Sequence, residues 1–278
     1  VGTVLDDDRV MCELICDGGH ICPTVLRNAF KILGEDRGIA ISDSMRGAGL
    51  GEGEFELGGQ AVFVKPNGKY AVLEDGTIAA SISNLHTEFK NLIVTLHKSL
   101  GKKFVAVGEI GLDFSRPENP SAEEQTRVLV EQLELARELN LPVILHLRDA
   151  HDLAKKVLAA NKNLFAKRGG VVHCFSGTKQ DAEDYLALGL HLSFTGCITY
   201  EKKTEPNPYV EIIKPLQMDK FFIETDSPFL SPAPYRGTEN SPKMVLLVAE
   251  KIAEIKGISA NEVINQTNKN AEEFFGLI

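Results

Sequence analysis

Residues 142–177, PVILHLRDAHDLAKKVLAANKNLFAKRGGVVHCFSG, carry two short apolar runs, at 142–147 and 170–175, with a helix-length segment between them. Two parallel strands need a crossover of about a dozen residues or more, usually a helix, so the stretch predicts one strand, helix, strand unit. The rhythm continues on both sides. Apolar runs at 12–16, 39–42, 104–110, 190–196 and 220–225 read as strands, and most are followed by enough residues for a helix. Such alternation argues for an α/β fold built on a parallel sheet. Seven barrel-type strands are counted in all, against the eight of a closed barrel. The expectation is therefore a (β/α) TIM-type barrel, incomplete or rearranged.

Helix signals agree with this reading. Ser121 with Glu124, and Ser259 with Glu262, have the spacing of a capping box, while Ser241-Pro242 opens a helix that Gly257 can close. Val128, Leu129, Leu133, Ala136 and Leu139, with Gln132 among them, line one face of a helix at 122–139 and read as a core stripe. Residues 50–75 break the rhythm. Their glycine-rich start, the Ala-Val-Phe-Val run and Asn67-Gly68 predict short antiparallel strands joined by a tight turn, a small β insertion.

A length of 278 residues with 43% hydrophobic content suffices for one barrel or two smaller domains. No run approaches the roughly 18 apolar residues of a membrane span, and the first residues lack a basic region followed by an apolar stretch, so a cytoplasmic protein without a membrane partner is expected. Cys12, Cys16, Cys22, Cys174 and Cys197 lack paired C-x-x-C spacing and read as reduced thiols, Cys16 and Cys22 as small packing residues. A formal charge of −9 argues against a non-specific nucleic-acid coat protein, because phosphate binding is driven mainly by Lys and Arg. It leaves room for an enzyme that meets phosphates with metal ions.

Four residues of metal-ligating type sit at the ends of apolar strands: Glu109 in VAVGEIGLDF, His146 in VILHLRDA, His173 in GVVHCFSG and Asp226 in FFIETDSPF. C-terminal strand ends form the active-site face of such barrels. A lone strand-end histidine is ordinarily a satisfied polar group, but four such residues at strand ends converge on one chemistry. Mixed N and O donors suit one or two divalent ions, Zn²⁺, Mn²⁺ or Mg²⁺, which make hydroxide near neutral pH and stabilise charge on a phosphoryl or carbonyl oxygen.

From about residue 96 to 278 the chain resembles the TatD family of metal-dependent deoxyribonucleases, matching GEIGLD, LPVILHLRDA, HCFSGT, LSFTG and ETDSPFLSP in order. The resemblance implies that Glu109, His146 and His173 are metal ligands and that Asp226 binds metal and orients or deprotonates the attacking water. It makes Arg148, and Arg236 in PYRGTENSP, phosphate contacts. The family pattern also includes an N-terminal His-x-His, and no such pair occurs in this sequence.

Residues 1–93 resemble instead the C-terminal part of N-acetylglucosamine-6-phosphate deacetylases, through VGTVLDDDRV, ELICDGGHICP, GIAISDSMRGAGL, FELGGQAVFV and DGTIAASISNL. That resemblance makes His20 a substrate-binding histidine and Asp43 the general acid and base, with Cys22 standing where that family often has a second histidine. Both families are similar to the broad amidohydrolase superfamily. The join falls near 88–98, so the chain reads as a chimera: a deacetylase-like half-barrel fragment with a small β unit at 1–95, and a TatD-like half-barrel at 96–278.

The leading expectation is a metal-dependent hydrolase of phosphodiester bonds acting on DNA. One alternative is deacetylation of an amino-sugar phosphate through Asp43 and His20. Another is a folded but inactive chimeric barrel. An open sheet edge in an incomplete barrel would also invite a homodimer.

Overall fold

A computed structural model describes residues 11–33, 37–41, 43, 45, 51–66, 68, 70–82, 90–95, 105–200 and 206–277. VGTVLDDDRV, Asn67 and residues 88, 89 and 96–98 of the junction lie outside the described residues. The chain divides into two compact units, Val1–Lys103 and Phe104–Ile278.

In the first unit, β1 (Cys12–Ile15) and β2 (Gly38–Ile41) pair in parallel, from Cys12 opposite Gly38 to Ile15 opposite Ile41. The helix α1 (Pro23–Leu33) connects them. Proline suits its first position because the missing N–H would find no helical partner there. Leu26, Ala29 and Leu33 recur on one helical face, and they pack with Leu14, Cys16 and Leu92 as a small core.

The expected β insertion is present and larger than predicted. β3 (Gly53–Leu57), β4 (Gln60–Val64), β5 (Tyr70–Val72) and β6 (Ile78–Ser81) form a four-stranded antiparallel sheet. The β3–β4 turn falls at Gly58-Gly59, both with positive φ (58° and 82°), the backbone that a two-residue hairpin turn requires. Val62, Val64, Ala71 and Ala80 form its buried face with Met45.

The second unit carries five parallel strands whose order in the sheet follows their order in the chain. They are β7 (Val107–Asp113), β8 (Val143–Arg148), β9 (Gly170–Val172), β10 (His191–Phe194) and β11 (Phe221–Ile223). The helices are α2 (Ala122–Leu139), α3 (His151–Ala160), α4 (Lys179–Ala187), α5 (Pro208–Ile213), α6 (Val245–Lys256) and α7 (Ala260–Phe275). This is the α/β, TIM-type arrangement that the alternation predicted, and each of the seven expected runs contains a strand. The run expected at 104–110 is displaced: its strand runs from Val107 to Asp113 and is irregular between Val107 and Ile110.

Alternation along the strands sets what faces where. In β8, Val143, Leu145 and Leu147 are buried while Ile144, His146 and Arg148 are more open. In β7, Ile110 and Leu112 are buried, and Glu109, Gly111 and Asp113 take the other face. Leu129, Leu133 and Ala136 of α2 join Ile110, Leu112, Val143 and Leu145 in the main core. Each such leucine, fully buried, contributes about 1.5–3 kcal/mol. Ser259 and Glu262 form the expected capping box, Ser121 accepts from the Glu124 N–H, and Gly257 ends α6 at φ 70°. Thr178 and Asp181 form a further capping box on α4.

Candidate metal centre

Glu109, His146 and His173 come together from three adjacent strands. One donor atom from each lies within 4.8 Å of the other two. His173 Nε2 stands 3.5 Å from Glu109 Oε1, and His146 Nδ1 stands 3.9 Å from Glu109 Oε2. Asp226 Oδ1 approaches the cluster from the loop after β11, 3.9 Å from His173 Nε2. Glu109 is not at a strand end as the sequence suggested: β7 runs on to Asp113 beyond it. Gly111 faces His146 across the β7–β8 ladder, where a Cβ would run into the His146 backbone.

Two carboxylates that the sequence reading missed hold the imidazoles in place. Glu224 Oε2 accepts from His173 Nδ1 at 2.7 Å, and Glu224 Oε1 accepts from the Cys174 N–H at 2.8 Å. Asp113 Oδ2 stands 3.2 Å from His146 Nε2, and Asp113 also accepts from Ser115. A carboxylate on the far nitrogen of a ligating imidazole fixes its tautomer and aims the other nitrogen. Here the aimed atoms are His173 Nε2 and His146 Nδ1, the two that face Glu109.

The electrostatics fit a cation. Burial disfavours the His173 imidazolium, but the hydrogen bond to Glu224 and the charges of Glu224, Glu109 and Asp226 outweigh it and hold its pKa above the ordinary histidine value. Burial pushes the Asp226 carboxyl up, and the Glu224 and Glu109 charges push the same way against His173. Glu224 and Asp113 both lose solvation, yet their hydrogen bonds, to His173 and to Ser115 respectively, bring both below the usual carboxylate range. A carboxylate and two neutral imidazoles form a mixed N and O donor set for a divalent ion, so these residues fit the metal that the sequence implied. Asp226 has φ 54° and Cys174 φ 45°, conformations that cost about 1–3 kcal/mol each and cluster at functional sites.

The remaining sequence candidates are placed as follows. Arg148 is exposed at the end of β8, opposite Asp113. Arg236 is exposed and lies over the Tyr200 ring, 4.3 Å from its centroid. In the first unit, the His20 ring bonds Asp17 rather than a catalytic partner, at 2.7 Å, while Asp43 is exposed with φ 45°. Beside the donor set, Cys174 Sγ lies 3.5 Å from Thr195 Oγ1, and the neighbouring Cys197 thiol together with burial pushes the Cys174 thiol up.

The profile of the TatD-related DNase family matches residues 79–276. The chain belongs to the TatD family. The match begins upstream of the junction read from the sequence. Among TatD relatives, the metal-dependent hydrolase YabD of Bacillus subtilis is 39% identical over 180 residues, covering 64% of this chain and 68% of its own. The metal-dependent hydrolase YcfH of Escherichia coli is 36% identical, covering 62% and 63%. The 3'-5' ssDNA/RNA exonuclease TatD of Pantoea vagans is 35% identical, covering 69% and 74%. The chain thus spans only 63% to 74% of the length of these relatives. The crystal structure of YjjV, a TatD homolog from Escherichia coli, superposes with a TM-score of 0.60 at 33% identity, over 67% of this chain and 70% of its own.

Proposed function

We propose that this chain is a metal-dependent phosphodiesterase acting on DNA, with Glu109, His146 and His173 as metal ligands and Asp226 as the base. The observation that carries the reading is the convergence of those three donors from β7, β8 and β9, with Asp226 beside them. A divalent ion held there would acidify water and stabilise charge on a phosphoryl oxygen.

The residues then divide the work. Glu224 and Asp113 keep the imidazoles aimed, and Asp226, its proton affinity raised by burial, receives the proton of the attacking water as the new P–O bond forms and the ester P–O bond breaks. Arg148 and Arg236 offset phosphate charge at the rim. The name of the Pantoea relative points to single-stranded nucleic acid as the substrate. The first unit is proposed to be a deacetylase-like fragment that contributes no catalytic group. This division of the chain rests on the quoted sequence pieces.

The test is cleavage of labelled single-stranded DNA by protein loaded with Mn²⁺ or Zn²⁺, beside acetate release from N-acetylglucosamine 6-phosphate. DNA cleavage that is lost on chelation supports the reading. Acetate release without cleavage moves the chemistry to Asp43 and His20.

A further inference from the structure

Phe229, in the loop that follows Asp226, is 69% exposed, the most of any large apolar side chain among the described residues. A lone exposed apolar side chain is ordinary on a protein surface. This one is different because a fixed backbone holds it out in water beside the chemistry.

The backbone is pinned on both sides of the ring. The Phe229 N–H donates to the Asp226 carbonyl at 3.0 Å, which closes a turn whose ends lie within about 7 Å of each other. Asn240, itself buried, donates from Nδ2 to the Phe229 carbonyl at 2.6 Å and to the Thr225 carbonyl at 2.8 Å. Its N–H donates to the Pro228 carbonyl at 3.0 Å. Leu230 then turns the chain at φ 56°, and a Cβ on Gly196 would collide with the Leu230 carbonyl. The loop is therefore seated on the turn Gly196–Thr199 that follows β10.

Further along the same loop stand a second ring and a cation. Tyr235 is 50% exposed, and Arg236 lies over the Tyr200 ring, 4.3 Å from its centroid. The Tyr200 hydroxyl donates to the Ser231 carbonyl at 2.9 Å, and Ser231 Oγ donates to the Thr238 carbonyl at 2.5 Å. The Thr238 N–H donates to the Tyr235 carbonyl at 3.1 Å, which closes the turn that carries Tyr235 and Arg236. Rings and a cation on a held surface suit a polymer of bases and phosphates.

We infer that Phe229 is a stacking platform for an unpaired nucleobase, the one adjoining the phosphate at the metal centre, and that it selects single-stranded over double-stranded nucleic acid. The inference rests on the phosphodiesterase reading and adds the group that tells the two forms apart. In a duplex both faces of a base are covered by its neighbours, so the base must leave the stack before it meets Phe229. In a single strand or at a frayed end a face is free. A phenyl ring has no hydrogen-bonding edge, so the platform takes all bases. Because the backbone is already held, little freedom is lost when a base settles on the ring.

The test uses Zn²⁺-loaded protein and a short single strand with phosphorothioate linkages, which slow cleavage, and with 2-aminopurine at its 3' end. Stacking quenches the fluorescence of that base, and titration gives the affinity. Expected is quenching with the parent protein, and affinity about 5- to 150-fold lower for Phe229→Ala, the scale of one base on one ring. Phe229→Trp should bind like the parent. A strand that lacks the 3' base should bind the parent as weakly as Phe229→Ala binds the intact strand, and Phe229→Ala should not distinguish the two strands. Blunt duplex should bind parent and Phe229→Ala alike. The proposal is overturned if the parent leaves the fluorescence unchanged or fails to bind the strand. It is overturned equally if Phe229→Ala binds the intact strand like the parent, or if the parent binds the strand without the base as tightly as the intact one. Stacking is read without turnover. Quenching without cleavage of an ordinary strand would thus sink the phosphodiesterase reading alone, and cleavage with no role for Phe229 would sink the platform alone.

Discussion

Glu224 accepts the Nδ1 hydrogen bond of His173 at 2.7 Å, and this pairing, 51 residues apart in sequence, decides which face of the imidazole is offered to a metal. His173 is 8% exposed, so few alternative orientations are open to it. Glu224 therefore acts on the site through its neighbour.

Replacing Glu224 with Ala should weaken Mn²⁺ or Zn²⁺ binding about 10- to 100-fold, the scale for loss of an outer carboxylate on a ligating histidine. Equilibrium dialysis measures it, and Glu224→Gln should recover part of the loss because the amide oxygen can still accept from Nδ1. Equal affinity in all three proteins would remove Glu224 from the centre.

Asp226→Asn should lower DNA cleavage by roughly 10²–10³, or about 3–4 kcal/mol in barrier, the scale for one key electrostatic group. The shape is kept while charge and proton acceptance are lost. Asp43→Asn in the first unit should leave the rate unchanged within about twofold. A wild-type rate for Asp226→Asn under saturating Mn²⁺ would rule Asp226 out as the base.

Gly111→Ala should destabilise the protein by about 1–3 kcal/mol, the usual cost of forcing extra volume into a packed place, because the new Cβ meets the His146 backbone. It should also weaken metal binding by displacing His146. Urea unfolding at fixed pH gives the first effect and dialysis the second. A variant as stable as the parent would show that the strands are not so closely pressed.

His191 predicts an acid-side loss of stability. Desolvation by burial between Phe222 and Phe274, whose ring centroids are 5.5 Å and 5.1 Å away, lowers its pKa below the ordinary histidine value of 6.5. The unfolded chain then binds more protons than the folded one at mildly acidic pH, so stability is fullest above about pH 6.5 and falls as pH drops through the folded value. Thermal melts at pH 8 and pH 5 should show a smaller difference for His191→Gln than for the parent. An unchanged difference would assign the effect to other groups.

The parts of this protein that the sequence exposed are those with a local pattern. Apolar runs, capping residues and the four strand-associated ligand types needed only short windows. Asp113 was within reach of the same reasoning: it is four residues from Glu109 on β7, and alternation puts that spacing on one strand face, whereas Glu224 lies past the end of β11 where no alternation applies. The place of Glu109 within β7 is announced only by Gly108, which sits in the irregularity between Val107 and Ile110, since a glycine inside a strand pattern marks a bulge.

The order of the five strands has a consequence for assembly. As a ribosome delivers the chain, β7, β8 and β9 emerge in that order as mutual neighbours, and with them all three donors. Glu224 and Asp226 follow only after β10 and α5. The three donors of the metal centre are thus complete in the chain before Glu224 and Asp226 have been made. An early ion would act as a clasp on three strands, and the later carboxylates would set the geometry for chemistry.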